Sequence, residues 1–251
     1  MDRRIGAQLY TIRDSIQTIE DFDKSCRKIK DIGYQLIQIS GTSLAAEDMK
    51  PVIDKYGLKV VVTHEDYEVF RDDPERIIAY NKTLGCDLCG IGYLPKEYRE
   101  NIGSVIEVIN RAAEVLQKEG LYLGYHNHAF EFSKRDGKFL MDRLIEETDP
   151  KKVKFIVDTY WLQVGGMDPE GYIRKLGERA MAVHLKDLKV KIDNHIEMAE
   201  LGEGNLDWDG ILRACEEAGV SWALVEQDDC QRDPFEALKI SHDYLVAKGF
   251  Q

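Results

Sequence analysis

Several side chains able to bind a cation or carry a proton stand where apolar runs stop. Leu121-Tyr122-Leu123-Gly124-Tyr125 leads into His126, Asn127, His128 and, three residues on, Glu131. Val153-Lys154-Phe155-Ile156-Val157 leads into Asp158, Met181-Ala182-Val183 into His184, and Trp222-Ala223-Leu224-Val225 into Glu226. Two or three carboxylates with an imidazole make an oxygen-rich set. It suits one hard or borderline divalent ion, Mn²⁺, Mg²⁺, Co²⁺ or Zn²⁺, and not copper or an iron–sulfur cluster. Such an ion can hold two neighbouring oxygens of a sugar, polarise its carbonyl and stabilise the enediolate formed when a base takes the adjacent proton. Returning that proton to another carbon is isomerisation. Returning it to the other face is epimerisation.

His126 and His128 alternate at a strand end, so both can face the same way as ligand, acid–base group or partner of a substrate hydroxyl. Lys186 follows His184 by two and shares its face, where it could pin an oxyanion or pair with Asp187 or Glu203. His64 and Glu65 after the third strand, and Gln8 and Arg13 near the first, are further candidates; His195 and His242 read as surface residues. Each piece has a plain structural alternative. Asp158 could cap the turn into Thr159-Tyr160, His184 could be a core histidine, and Glu226-Gln227-Asp228-Asp229 could be a solvated turn. The coincidence of four such groups at equivalent strand ends favours a shared site.

The elements that would position them alternate in hydrophobic period along the chain. Strands are expected near 5–9, 36–39, 58–62, 88–91, 121–125, 153–157, 181–183 and 222–225. A helix carrying Phe22, Cys26, Ile29 and Ile32 on one face lies between caps at Thr18 and Gly33. A helix over about 44–56 contains Pro51 and is expected to break or kink there. Asp73-Pro74 opens a helix that ends at Gly85, and Ile102, Val105, Ile106, Ile109, Ala113 and Leu116 form the stripe of another. Helices follow near 139–147, after Asp168-Pro169, after Asp207 and over about 233–247. The longest connection, 188–204, is a candidate lid or substrate loop. Eight strand–helix units without a linker or low-complexity tract imply an α/β fold, a (β/α)₈ TIM barrel forming a single domain over 1–251. A doubly wound sheet would prefer a Gly-rich turn after strand one, where Gln8-Leu9-Tyr10-Thr11 stands instead. In a barrel, the distant strand ends meet at one mouth.

Composition narrows the partners. The 251 residues are 43% hydrophobic, with a formal net charge of −12. That balance argues against a nucleic-acid partner, which would call for a basic stripe. There is no apolar run of membrane-spanning length, and the start lacks the features of a signal peptide, so a cytoplasmic location and no membrane partner are expected. Five cysteines include one CxxC, Cys86 to Cys89; with no second pair to complete a zinc knuckle, they read as small buried hydrophobes.

The chain resembles the xylose-isomerase-like barrel superfamily of sugar phosphate isomerases, epimerases and dehydratases. The likeness rests on GAQLYTIRD at 6–14, GYHNHAFEF at 124–132, FIVDTYWLQVGG at 155–166, AVHLKDLK at 182–189, LGEGNLDW at 201–208 and LVEQDD at 224–229. It implies a (β/α)₈ barrel with one divalent metal held by Glu, Asp, His and Glu from strands five to eight. Asp158, His184 and Glu226 match the last three ligands. Where many relatives place the first glutamate, this chain has Tyr125-His126. Glu131 is taken as that ligand, with His126 the alternative; in epimerase relatives a glutamate near that position touches substrate.

The expected function is therefore a metal-dependent isomerase or epimerase of a sugar, keto-sugar or polyol, or of its phosphate. Glu131, Glu226 and His128 would carry protons, and His64, His126, Lys186 and Gln8 would bind the small-molecule carbohydrate substrate. One alternative is a lyase or dehydratase of a keto-polyol or 3-keto-glycoside using the same site. Another is a non-catalytic sugar-binding barrel or enzyme subunit. A homo-oligomer is a possible assembly.

Overall fold

A computed structural model describes residues 2–251. The local signals act where the sequence places them. Thr18 accepts a hydrogen bond from the Asp21 N–H at the start of the helix Ile19–Ile32, and Gly33 ends it with a positive φ of 124°. Asp73 accepts from the Arg76 N–H and opens Pro74–Leu84, which Gly85 closes in the left-handed region. The helix Ala46–Lys55 runs on through Pro51. The expected break does not occur there, because Pro51 lies close enough to the helix start that the bond it forfeits is the one to Glu47, in the first turn.

Eight strands follow in chain order: β1 Gly6–Gln8, β2 Leu36–Ile39, β3 Lys59–Glu65, β4 Leu88–Ile91, β5 Tyr122–His126, β6 Val153–Asp158, β7 Ala180–Leu185 and β8 Trp222–Val225. Each pairs in parallel with its sequence neighbours, and β1 pairs with β8, closing the ring. Strand β3 runs to Glu65, longer than its apolar run alone indicates, and so carries His64 within the sheet. No helix among the described residues is long and apolar enough to cross a membrane.

The strand period of two decides what faces the barrel axis. Leu36, Val62, Leu88, Ile156, Ala182 and Leu224 pack together as an apolar core distinct from the larger one between strands and helices. Gly6 and Gly124 complete this inward set. A Cβ on Gly6 would lie 2.5 Å from the Leu224 side chain, and one on Gly124 2.9 Å from Ile156. Two residues further along each strand come Gln8, Gln38, His64, Gly90, His126, Asp158, His184 and Glu226. The polar residues at the mouth are thus the next inward step above an apolar plug.

The segment expected as a lid is partly ordered into a hairpin, Asp187–Val190 against Ile196–Ala199. The buried Asp187 carboxylate accepts hydrogen bonds from the N–H groups of Leu188, Gly202, Gly204 and Leu206 and from the Trp208 indole. A loop whose backbone converges on one carboxylate is a fixed wall.

Candidate metal centre

His126, Asp158, His184 and Glu226 each turn one ligand atom into a common space, and these atoms lie within 4.8 Å of one another. His184 Nδ1 is 2.8 Å from Glu226 Oε2 and 3.9 Å from Asp158 Oδ2, while His126 Nε2 is 3.2 Å from Asp158 Oδ2. A cation held at about 2.0–2.2 Å by each ligand would separate them by about 3–4 Å.

Hydrogen bonds outside the group set its chemistry. His126 Nδ1 lies 3.0 Å from the Gly92 carbonyl, which can only accept, so Nδ1 carries the proton and Nε2 presents a lone pair to the centre. His184 Nε2 lies 2.8 Å from Gln38 Oε1, leaving Nδ1 turned inward. Metal-binding histidines are commonly held this way, with an outer acceptor on one ring nitrogen fixing the tautomer and the ring orientation. His184 Nδ1 is buried without a hydrogen-bond partner and faces Glu226 Oε2 at 2.8 Å. Two imidazole nitrogens and two carboxylate oxygens converge there, a donor set that a divalent cation satisfies. The residues fit a divalent ion.

Asp158 does two jobs with two oxygens. Oδ1 accepts from the Trp161 N–H and caps the helix Thr159–Val164, and Oδ2 faces the centre. The cap reading holds, and it leaves the second oxygen free for the site reading. Asn127 ties the neighbouring strand end to this one by accepting from the Asp158 N–H at 3.0 Å.

Lys186 is fully buried beside the group. Its ammonium donates to Asp228 Oδ1 at 3.0 Å and lies 2.9 Å from both Asp158 Oδ2 and Glu226 Oε2. Burial alone would raise both carboxyls, but Lys186 outweighs it, together with His126 at Asp158 and His184 at Glu226. Asp158 is held down at about 2 and Glu226 well below the usual range. Burial by itself lowers the lysine, and the carboxylates reverse this and hold it well above its ordinary value. Burial pushes the His128 imidazole down to about 3 and His64 well below its ordinary value, so both are neutral.

Glu131 stands outside this group. Its carboxylate accepts from the Tyr125 hydroxyl at 2.9 Å and the His128 N–H at 2.8 Å. Tyr125 precedes the inward-facing His126 and so points to the opposite side of the strand, and Glu131 goes with it. His126 takes the place expected for Glu131 among the four convergent side chains. Nor is Lys186 paired with Asp187 or Glu203. His242 is buried against Tyr34, not on the surface as expected. Cys86 and Cys89 are buried, as their bland reading has it.

Above the centre opens a cavity of about 1070 Å³, lined in part by Gln8, His64, His126, His128, Glu226 and Asp228. Gln8 accepts from the Tyr10 N–H, and His64 Nε2 and His128 Nδ1 are buried without partners. The rim holds Tyr93, Phe130 and Trp161, with the Arg99 guanidinium 3.6 Å above the Phe130 ring. Sequence reasoning passed over Gln38 and took Asp228 only as part of a possible solvated turn. Gln38 is the one polar residue in LIQI, and Asp228 follows Glu226 by two, so both had a signal in the strand period.

Fold and centre together define a (β/α)₈ barrel whose mouth gathers four side chains that could hold a metal ion beside a cavity. The chain belongs to the xylose isomerase-like TIM barrel family, whose model matches residues 26–247. It is 29% identical over 158 residues to an inosose dehydratase of Geobacillus thermodenitrificans, covering 56% of this chain and 52% of that protein. The chain thus spans about half the length of that relative. It is 26% identical over 254 residues to an inosose dehydratase of Lactiplantibacillus plantarum, covering 94% of this chain and 72% of the relative. A solved sugar phosphate isomerase/epimerase of Parabacteroides distasonis superposes with a TM-score of 0.82 at 23% identity, covering 100% of this chain and 96% of the other.

Proposed function

We propose that the protein is a divalent-metal-dependent lyase that dehydrates a keto-polyol, removing the proton next to the carbonyl and expelling the neighbouring hydroxyl as water. His126, Asp158, His184 and Glu226 would hold the ion. The observation that carries the metal reading is the pair of histidines locked by outer acceptors with bare nitrogens turned toward two buried carboxylates. When bound, the ion supplies Lewis acidity for the carbonyl and the enolate charge. The chain supplies the rest. His128, whose ring lines the cavity, is the base that we assign to the C–H proton. The C–H and C–O bonds break, a C=C bond forms, and the proton taken by His128 is handed to the departing hydroxyl oxygen, which leaves as water. His64 and Gln8 face the cavity as partners for substrate hydroxyls, and Tyr93, Phe130 and Trp161 offer apolar faces to ring C–H groups.

Elimination is favoured over epimerisation by two points. Glu131, one of the expected proton carriers, is engaged by Tyr125 and the His128 backbone. The curated relatives described above are inosose dehydratases. Epimerisation or isomerisation of a keto-sugar is the second reading, supported by the likeness to the Parabacteroides structure.

Incubating the metal-loaded protein with keto-inositols and keto-sugars in deuterium oxide separates the two. A product lighter by one water supports the lyase, and deuterium incorporation without loss of water sinks it in favour of the second reading. Asp158→Asn and His184→Ala should each lower turnover by at least about a thousandfold and abolish stoichiometric metal. Full activity in either variant would refute the metal-dependent mechanism.

A further inference from the structure

We infer that Lys186 is an internal rival of the divalent ion: its ammonium shares Asp158 Oδ2 and Glu226 Oε2 with the metal position, keeps the mouth assembled without the ion, and makes the ion exchangeable. The inference rests on the metal reading above and goes beyond it. Lys186 Nζ is 2.9 Å from each of the two oxygens that face the centre, and no part of the lysine reaches solvent. Its remaining contact is Asp228 Oδ1 at 3.0 Å, an oxygen outside the four-ligand group.

The charges give the arrangement its consequence. Asp158, Glu226 and Asp228 bring three negative charges, and Lys186 brings one positive charge. With neutral imidazoles the formal sum is −2, which one divalent ion cancels. Without Lys186 the sum would be −3. The carboxylates would then repel one another in the absence of the ion and attract it more strongly when present. Asp228 gives the ammonium somewhere to go: its side chain is 29% exposed, so an ammonium drawn toward it moves away from the two shared oxygens and toward the cavity. Lysine suits this role because a compact ammonium on a flexible stem can shift between oxygens, whereas a planar guanidinium is held by its fork.

The test is a titration of chelator-treated protein with Mn²⁺, followed by loss of the free-ion electron paramagnetic resonance signal, with thermal midpoints measured alongside. Lys186→Met should bind Mn²⁺ at least about tenfold more tightly than the parent. Its ion-free form should melt lower and gain more from added Mn²⁺, and a variant that is soluble only when made with Mn²⁺ supports the same conclusion. Asp228→Asn, which removes a partly exposed partner and is expected to fold, should weaken Mn²⁺ binding. Placed in the Lys186→Met background, the same change should lose most of that effect, because there is no ammonium left to hold aside. Lys186→Met binding equally or more weakly, or Asp228→Asn binding equally or more tightly, overturns the rivalry and leaves the metal site standing. No Mn²⁺ binding by the parent or any variant overturns the metal reading itself.

Discussion

A single carboxylate at the end of a strand can serve structure and chemistry together, because its two oxygens are separate acceptors. Asp158 caps a helix with one and faces the metal position with the other. Glu131 gives one oxygen to Tyr125 on β5 and the other to the His128 N–H, and its burial has a thermodynamic signature. Burial pushes its carboxyl up from 4.5 to about 7. A folded-state value above the unfolded one means that folding favours the protonated form. This contribution is complete below the unfolded value and is lost as pH rises through about 7. Such a shift corresponds to about 3 kcal/mol. Glutamine cannot titrate, so the stability of the parent relative to Glu131→Gln should fall by up to about 3 kcal/mol between pH 4.5 and 8. Urea unfolding of both proteins across that range measures it, and a difference flat with pH would contradict the buried carboxyl.

At the scale of elements, the 187–206 segment shows how a long connection becomes a wall. Five donors converge on Asp187, four of them backbone N–H groups spread over 188–206. Removing the acceptor leaves buried donors unsatisfied, at a cost of about 1–3 kcal/mol for each that finds no water. Asp187→Ala should therefore lower stability by about 2–5 kcal/mol and speed limited proteolysis within 188–206. Unchanged cleavage there would show that the hairpin is held by something else. The hairpin adjoins the mouth through Met198, whose sulfur accepts from the Asp228 N–H at 3.1 Å, so loosening it should also weaken substrate binding.

At the scale of the molecule, the barrel is a ring, and the mouth residues sit on strands from both sides of the β1–β8 closure. Binding an ion to groups on β5 to β8 therefore stabilises the whole ring by mass action. At a hundredfold excess over the dissociation constant this amounts to about 2.7 kcal/mol, or about 5–10 °C in the thermal midpoint for a chain of this size. Calorimetry of chelator-treated protein with and without Mn²⁺ should show that rise, and His184→Ala should not.

Much of this was legible from residues alone. The apolar runs, their period and their punctuation by Thr18, Gly33, Asp73-Pro74 and Gly85 determine eight strand–helix units, because caps and alternation are local matters of hydrogen bonding and side-chain direction. Asp158, His184 and Glu226 follow from the same logic, each standing two residues above an inward apolar position. The sequence by itself left the choice between Glu131 and His126 open, and it offered no partner for Lys186 among Asp158, Glu226 and Asp228. Tertiary structure brings His126, not Glu131, beside the other three and sets Lys186 among the carboxylates. Where a chain turns after leaving a strand, and which charges face one another across a closed ring, depend on the packing of segments far apart in sequence.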